Sequence, residues 1–184
     1  MCLLFSMFLL ILKEKYKLIF LNNRIQSFLM ITVGILTISD SSFKGLRKDQ
    51  SGPVIYQVCK DLSWKIVKQK IVPDDIKQII NVLSEWTSDR IQLIFTTGGT
   101  GLTQRDVTPE ATMKVIDKLI PGIPELMRLE TSKITKYTFL SRALAGIAEQ
   151  TLIVNLPGSP KAVGECLSSI VSILPHALEM LEES

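Results

Sequence analysis

Ile91–Gly101, IQLIFTTGGTG, decides the fold. Apart from Gln92, its first seven residues are apolar or β-branched, long enough for a strand buried on both faces. The run ends directly on Gly98-Gly99-Thr100-Gly101 rather than on a charged turn. The same grammar occurs twice more. Ile31–Ser39 (ITVGILTIS) is a β-branched run that ends on Asp40, and Thr151–Leu156 ends on Pro157-Gly158-Ser159-Pro160.

Helical patterns lie between these runs. Asp40–Gln50 is polar and reads as a loop. Ser51-Gly52-Pro53 then opens a helix, with Ser51 as its cap and Val54, Val58 and Leu62 at helical spacing. Trp64–Val72 has strand character. Pro73-Asp74-Asp75 starts a helix with Ile76, Ile79, Ile80, Leu83 and Trp86 on one face. Thr108-Pro109-Glu110 begins another, expected to carry Met113, Ile116 and Leu119 until Pro121-Gly122 breaks it. A helix near Pro124–Ser132 carries Leu126, Met127 and Leu129. Leu144–Ile147 and Thr151–Leu156 read as two strands around Ala148-Glu149-Gln150. A last helix carries Val163, Cys166, Leu167, Ile170, Val171 and Leu174. Alternating strands and helices predict an α/β fold: a mainly parallel sheet covered on both faces, with a local antiparallel element from the late strand pair.

Composition narrows the function. The 184 residues are 46% hydrophobic and 21% charged, enough for one domain with a real core. Residues 1–29 carry Lys13, Lys15, Lys17 and Arg24 against Glu14 alone, the whole of the net +3. The body is therefore neutral and has no basic bias toward nucleic acid. Cys2, Cys59 and Cys166 are scattered without a CxxC pair, which fits a reducing cytoplasm better than a disulfide scaffold. His176 is the single histidine, so a His/Cys zinc site is close to excluded.

The segment Cys2–Leu12, CLLFSMFLLIL, is too short to span a bilayer as a helix. Its charges follow the apolar run and no small-residue cleavage site appears, contrary to a signal peptide. Met30 looks like a natural start of the first strand. We expect residues 1–29 to be an extension outside the fold and 30–184 to form the domain; a membrane-contacting helix and an organelle-targeting leader are the alternatives.

In such sheets ligands bind beyond the carboxyl ends of the strands. Three loops fall there: Ser39-Asp40, Thr97-Gly98-Gly99-Thr100-Gly101, and Pro157-Gly158-Ser159. Glycines let backbone N–H groups approach an oxyanion closely, and Thr97, Thr100 and Ser159 add hydroxyls. A tight turn with no ligand is the plainer reading of each loop. No Walker A sequence occurs. Asp74 and Asp106 stand at two strand ends, and two carboxylates with phosphate oxygens suit Mg²⁺. Asp74 reads equally as a helix cap, and Asp106 as a turn residue. Arg105, Lys133, Lys136 and Arg142 are candidate cations for an anionic substrate.

Thr97-Gly98-Gly99-Thr100-Gly101 followed by Arg105-Asp106-Val107-Thr108-Pro109-Glu110-Ala111-Thr112 resembles the signature of the Mog-type molybdopterin adenylyltransferases. Ile38-Ser39-Asp40, Asp49-Gln50-Ser51-Gly52-Pro53, Val72-Pro73-Asp74, Pro121-Gly122, Leu140-Ser141-Arg142 and Asn155-Leu156-Pro157-Gly158-Ser159 match in the same order. The resemblance runs from about Ile31 to Glu182 and extends to the G domain of gephyrin. It implies a three-layer α/β/α sandwich, usually assembled as a trimer, that transfers AMP from ATP to molybdopterin and releases pyrophosphate. Molybdate insertion by a downstream enzyme follows. It implies Asp106 and Asp74 as catalytic, Mg²⁺-associated residues. Thr97–Gly101, Ser141, Arg142 and Pro157–Ser159 would hold pterin and phosphate, and Ser39, Asp40, Asp74, Gly98 and Gly99 would face the nucleotide. The MoaB-like branch shares the fold, and some of its members lack clear adenylyltransferase activity. A cytoplasmic enzyme without stable membrane insertion, without a nucleic-acid partner and without a covalent Cys or Ser nucleophile is the resulting expectation.

Overall fold

The computed structural model describes residues 30–182; the expectation for residues 1–29 lies outside them. Six strands form one sheet: β1 (Thr32–Ile38), β2 (Lys65–Val72), β3 (Leu93–Thr97), β4 (Lys118–Leu119), β5 (Ala145–Ala148) and β6 (Thr151–Leu156). Their order is β2-β1-β3-β6-β5-β4. The first four in that order are parallel, whereas β5 runs antiparallel to β6 and β4 antiparallel to β5. The expected mainly parallel sheet with an antiparallel arm is what forms.

Seven helices accompany the sheet: α1 (Asp40–Phe43), α2 (Ser51–Asp61), α3 (Ile76–Ser88), α4 (Thr108–Met113), α5 (Gly122–Thr131), α6 (Pro160–Ile170) and α7 (Leu174–Glu182). Residues of β1 alternate between two cores because successive side chains point to opposite faces. Val33 and Ile35 join Ile55, Met127, Leu167 and Leu174 from α2, α5, α6 and α7. Leu36 and Ile38 join Ile79, Leu83, Trp86 and Ala111 from α3 and α4. The result is three layers, α/β/α. Among the described residues, no helix is long and apolar enough to cross a membrane.

Four local expectations need correction. The Asp40–Gln50 loop begins with one helical turn, α1, because the Ser39 hydroxyl accepts the Ser42 N–H. Ser51 does not cap α2; the Asp49 carboxylate does, accepting from the N–H groups of Ser51 and Gly52 at 3.0 and 3.2 Å. The helix from Thr108 stops at Met113 and never reaches Leu119. The chain there is captured as β4, where Asp117 and Ile120 donate to Ile147 and Ala145, so Met113 and Leu119 are exposed. The last helix is two, α6 and α7. Pro175 lacks an N–H and cannot extend the α6 ladder.

The sheet face toward α3 requires Gly34. A Cβ there would lie 2.6 Å from Cε3 of the buried Trp86 ring. We expect Gly34→Ala to cost about 1–3 kcal/mol through overpacking, measured as a lowered denaturation midpoint with an unchanged denaturant slope.

Candidate functional site

The carboxyl ends of β1, β3 and β6 meet at one place. Gly98 and Gly99 turn the chain after β3 with φ of +98° and +63°, a region that side chains disfavour. A Cβ on Gly98 would lie 2.2 Å from the Ile38 carbonyl oxygen, so this turn is pressed against the end of β1. A Cβ on Gly158 would lie 3.3 Å from the Gly98 Cα, which brings in the end of β6. Thr97 Oγ1 donates to the Pro157 carbonyl at 2.7 Å, and Gly98 N donates to Leu156 O at 3.3 Å. Beneath them the buried Asn155 amide donates to Thr96 and Thr112 hydroxyls, both at 2.9 Å. Three strand ends are thus locked in register.

The acids surround this turn. Asp40 N donates to Asp74 Oδ2 at 2.8 Å, and Asp74 N donates to Asp40 Oδ1 at 3.2 Å. Asp75, not Asp74, caps α3, accepting from Gln78 N. Asp74 therefore does not cap α3; its Oδ2 accepts from Asp40 N while its Oδ1 lies toward Gly99. On Gly99, a Cβ would stand 3.4 Å from Asp74 Oδ1; on Gly101, 3.0 Å from Asp106 Oδ2. Both acids thus lie against one five-residue loop. Asp106 is also a turn residue, since its Oδ2 accepts from Thr103 N and Oγ1 at 2.9 and 2.6 Å.

Burial pushes the Asp74 carboxyl above the usual aspartate range, and the Asp40 and Asp106 charges push the same way against Arg105. The Arg105 guanidinium, bonded to Asp40, holds that carboxyl low. At Asp106, burial raises the value, but Thr103, Gly101 and Arg142 together outweigh it and the net direction is down.

A cleft of about 240 Å³ opens above the turn. Ser39, Asp74, Gly98, Gly99 and Gly158 line it, as expected, together with Ser42, Arg47, Lys48, Asp49 and Pro160. Asp40, Thr97, Thr100, Gly101, Asp106, Ser141, Arg142, Pro157 and Ser159 do not. Thr97 and Thr100 are buried, and the Thr97 hydroxyl is engaged by Pro157; they shape the loop from behind. Ser141 has its carbonyl on Arg128 and its hydroxyl on Ala143 N.

Arg142 is reassigned from a ligand cation to a clamp. Its Nε donates to Gly101 O at 2.7 Å, Nη2 to Asp106 O at 2.5 Å, and Nη1 to the Glu110 carboxylate, while its backbone N donates to Thr100 O at 2.9 Å. Of the other cations expected from sequence, Lys133 pairs with Glu130, and Lys136 lies in the 3-10 turn Lys136–Leu140, outside the cleft. Arg47 and Lys48 were missed; their signal was position, in the polar segment directly after β1.

A larger hollow of about 520 Å³ lies beside β2, lined by Tyr56, Lys60, Trp64 and Lys68 among others. It has neither a glycine turn nor a carboxylate in its lining. Cys59 and Cys166 are buried, and burial pushes their thiols to about 12 and about 11, far from a thiolate nucleophile. Among the described residues, no three acidic or imidazole groups converge on a metal position.

Residues 34–176 match the family described as a probable molybdopterin binding domain. The chain belongs to this molybdopterin-binding domain family. The chain is 45% identical over 153 residues to the molybdenum cofactor synthesis protein cinnamon of Drosophila melanogaster, covering 82% of this chain but only 26% of that protein. It is 39% identical over 157 residues to the molybdopterin adenylyltransferase of Helicobacter pylori, covering 82% and 88%. Among solved structures, the molybdopterin biosynthesis enzyme MoaB from Thermus thermophilus superposes with a TM-score of 0.80 at 43% identity, covering 84% and 98%.

Two outcomes check this geometry. In the metal-free protein, carbon-detected NMR titration should find Asp74 protonated at higher pH than an ordinary aspartate. Arg105→Ala should move that midpoint higher still, because the lost positive charge no longer favours the carboxylate. Arg142→Ala should accelerate amide exchange across residues 100–106 and cost about 1–3 kcal/mol, the penalty for unpaired carbonyls.

Proposed function

We propose that this chain is a molybdopterin adenylyltransferase, joining AMP from ATP to the terminal phosphate of molybdopterin and releasing pyrophosphate. The observation that carries the reading is the Gly98–Gly101 loop at the meeting of three strand ends, with Asp74 against Gly99 and Asp106 against Gly101. The 39% identity to the Helicobacter pylori enzyme over 88% of its length supports it.

The chemistry has one central difficulty. Attacker and target are both phosphate anions and repel each other, so a catalyst must neutralise charge and align in-line attack on the α-phosphorus. The glycine turn lets backbone approach phosphate oxygens without side-chain interference. The Asp74 and Asp106 carboxylates would hold Mg²⁺ on the nucleotide phosphates. Bound there, the ion would supply charge neutralisation of the phosphates and leaving group. The Arg142 clamp keeps Gly101 and Asp106 in place while these contacts form. The attacking oxygen belongs to the substrate phosphate, so no protein nucleophile is required. The same reading has the enzyme working as a cytoplasmic homotrimer that passes adenylyl-molybdopterin to a molybdate-inserting enzyme.

A second reading is a MoaB-like molybdopterin-binding protein without turnover; the match of residues 34–176 to a probable molybdopterin binding domain is as consistent with binding alone. Pyrophosphate release from ATP on adding molybdopterin separates the two: binding of the pterin without release favours the second. We expect Asp106→Asn to retain pterin binding and thermal stability while turnover falls by roughly two orders of magnitude or more. Wild-type turnover in that variant would remove Asp106 from the mechanism.

A further inference from the structure

We infer that Arg47 and Lys48 grip the polyphosphate of the nucleotide at the lip of the cleft. The inference rests on the adenylyltransferase reading for the identity of the ligand, and on the structure for the residues. Both side chains line the cleft that also holds Asp74, Gly98 and Gly99.

The other cations near the turn already have partners. Arg105 is bonded to Asp40, and each guanidinium nitrogen of Arg142 donates once, to Gly101, Asp106 or Glu110. Arg47 and Lys48 form no ion pair among the described residues. The nearest acid in sequence, Asp49, is turned away from them. Its carboxylate accepts from Thr37 Oγ1 at 2.7 Å and from Ser51 N at 3.0 Å.

The loop carrying the two cations is nevertheless anchored. Leu46 N and Arg47 N both donate to Ser41 O, at 2.9 and 3.2 Å, and Asp49 ties the far side to β1 and α2. The backbone is positioned while the charged ends stay exposed, so little ordering remains to be done when an anion arrives. Gly158 and Pro160 contribute the lining from the start of α6, whose cap residue Ser159 makes no side-chain capping bond. The partial positive charge of that helix end adds to that of the two side chains. A triphosphate carries more charge than a single phosphate ester, and only the triphosphate extends away from the reacting phosphorus. Two unpaired cations beside Asp74 match that tail rather than the pterin phosphate.

The test compares Arg47→Ala/Lys48→Ala with Lys60→Ala/Lys65→Ala, which removes equal charge outside the cleft. Calorimetry with Mg-pyrophosphate as probe should show roughly tenfold weaker binding for the first variant, severalfold for each exposed charge contact. The control should bind like wild type. The KM for MgATP should rise to a similar extent, with the KM for molybdopterin and the melting temperature unchanged. Unaltered pyrophosphate binding, an equal loss in the control, or a loss confined to molybdopterin overturns the inference. If wild type binds Mg-pyrophosphate through these residues yet forms none from ATP and molybdopterin, the grip stands and the catalytic reading falls.

Discussion

The approach of one backbone to another at the end of the sheet is the constraint on which the site depends. Gly98 sits against the Ile38 carbonyl and beside Gly158. No side chain could occupy that position without separating β1, β3 and β6. The buried Asn155 below, bonded to Thr96 and Thr112, holds the same region from underneath. Because these contacts are made by backbone and by fully engaged buried groups, the cleft is largely formed before any ligand enters, which is the condition for catalysis by positioning.

Electrostatics are layered on that frame in two ways. Arg142 neutralises nothing at the cleft surface; its charge is directed to carbonyls and Glu110, and its work is mechanical. Asp40, Asp74 and Asp106 form an arc of negative charge around the glycine turn, moderated by exposed Arg105. Such an arc repels a bare phosphate and welcomes one that arrives with its cation. The Asp40 and Asp74 backbones each donate to the other's carboxylate, which keeps two like charges adjacent without a side chain between them.

Much of this was legible in the chain. Apolar runs ending on glycine or proline turns were sufficient to place β1, β3 and β6 and to locate the site at their ends. Ser39, Asp74, Gly98, Gly99 and Gly158, singled out because unusual residues follow strands there, do line the cleft. What could not be read was direction. Thr97 and Arg142 have the right chemistry for a ligand, but they are turned inward by partners 60 and 41 residues away. Arg47 and Lys48 stood unremarked in a polar loop, and only the fold shows that this loop lines the cleft. Met113 and Leu119 fit a helical period, yet pairing of β4 with β5 outweighed a weak local preference.

The outer strand β2 ends the sheet on the side away from the antiparallel arm. It presents Lys65 and Lys70 to solvent and keeps Lys68 in ion pairs with Glu85 and Asp89. Exposed lysines on a strand with no further neighbour among the described residues make pairing with a second sheet electrostatically unfavourable. Among the described residues, that margin is thereby guarded against edge-to-edge pairing between copies of the chain.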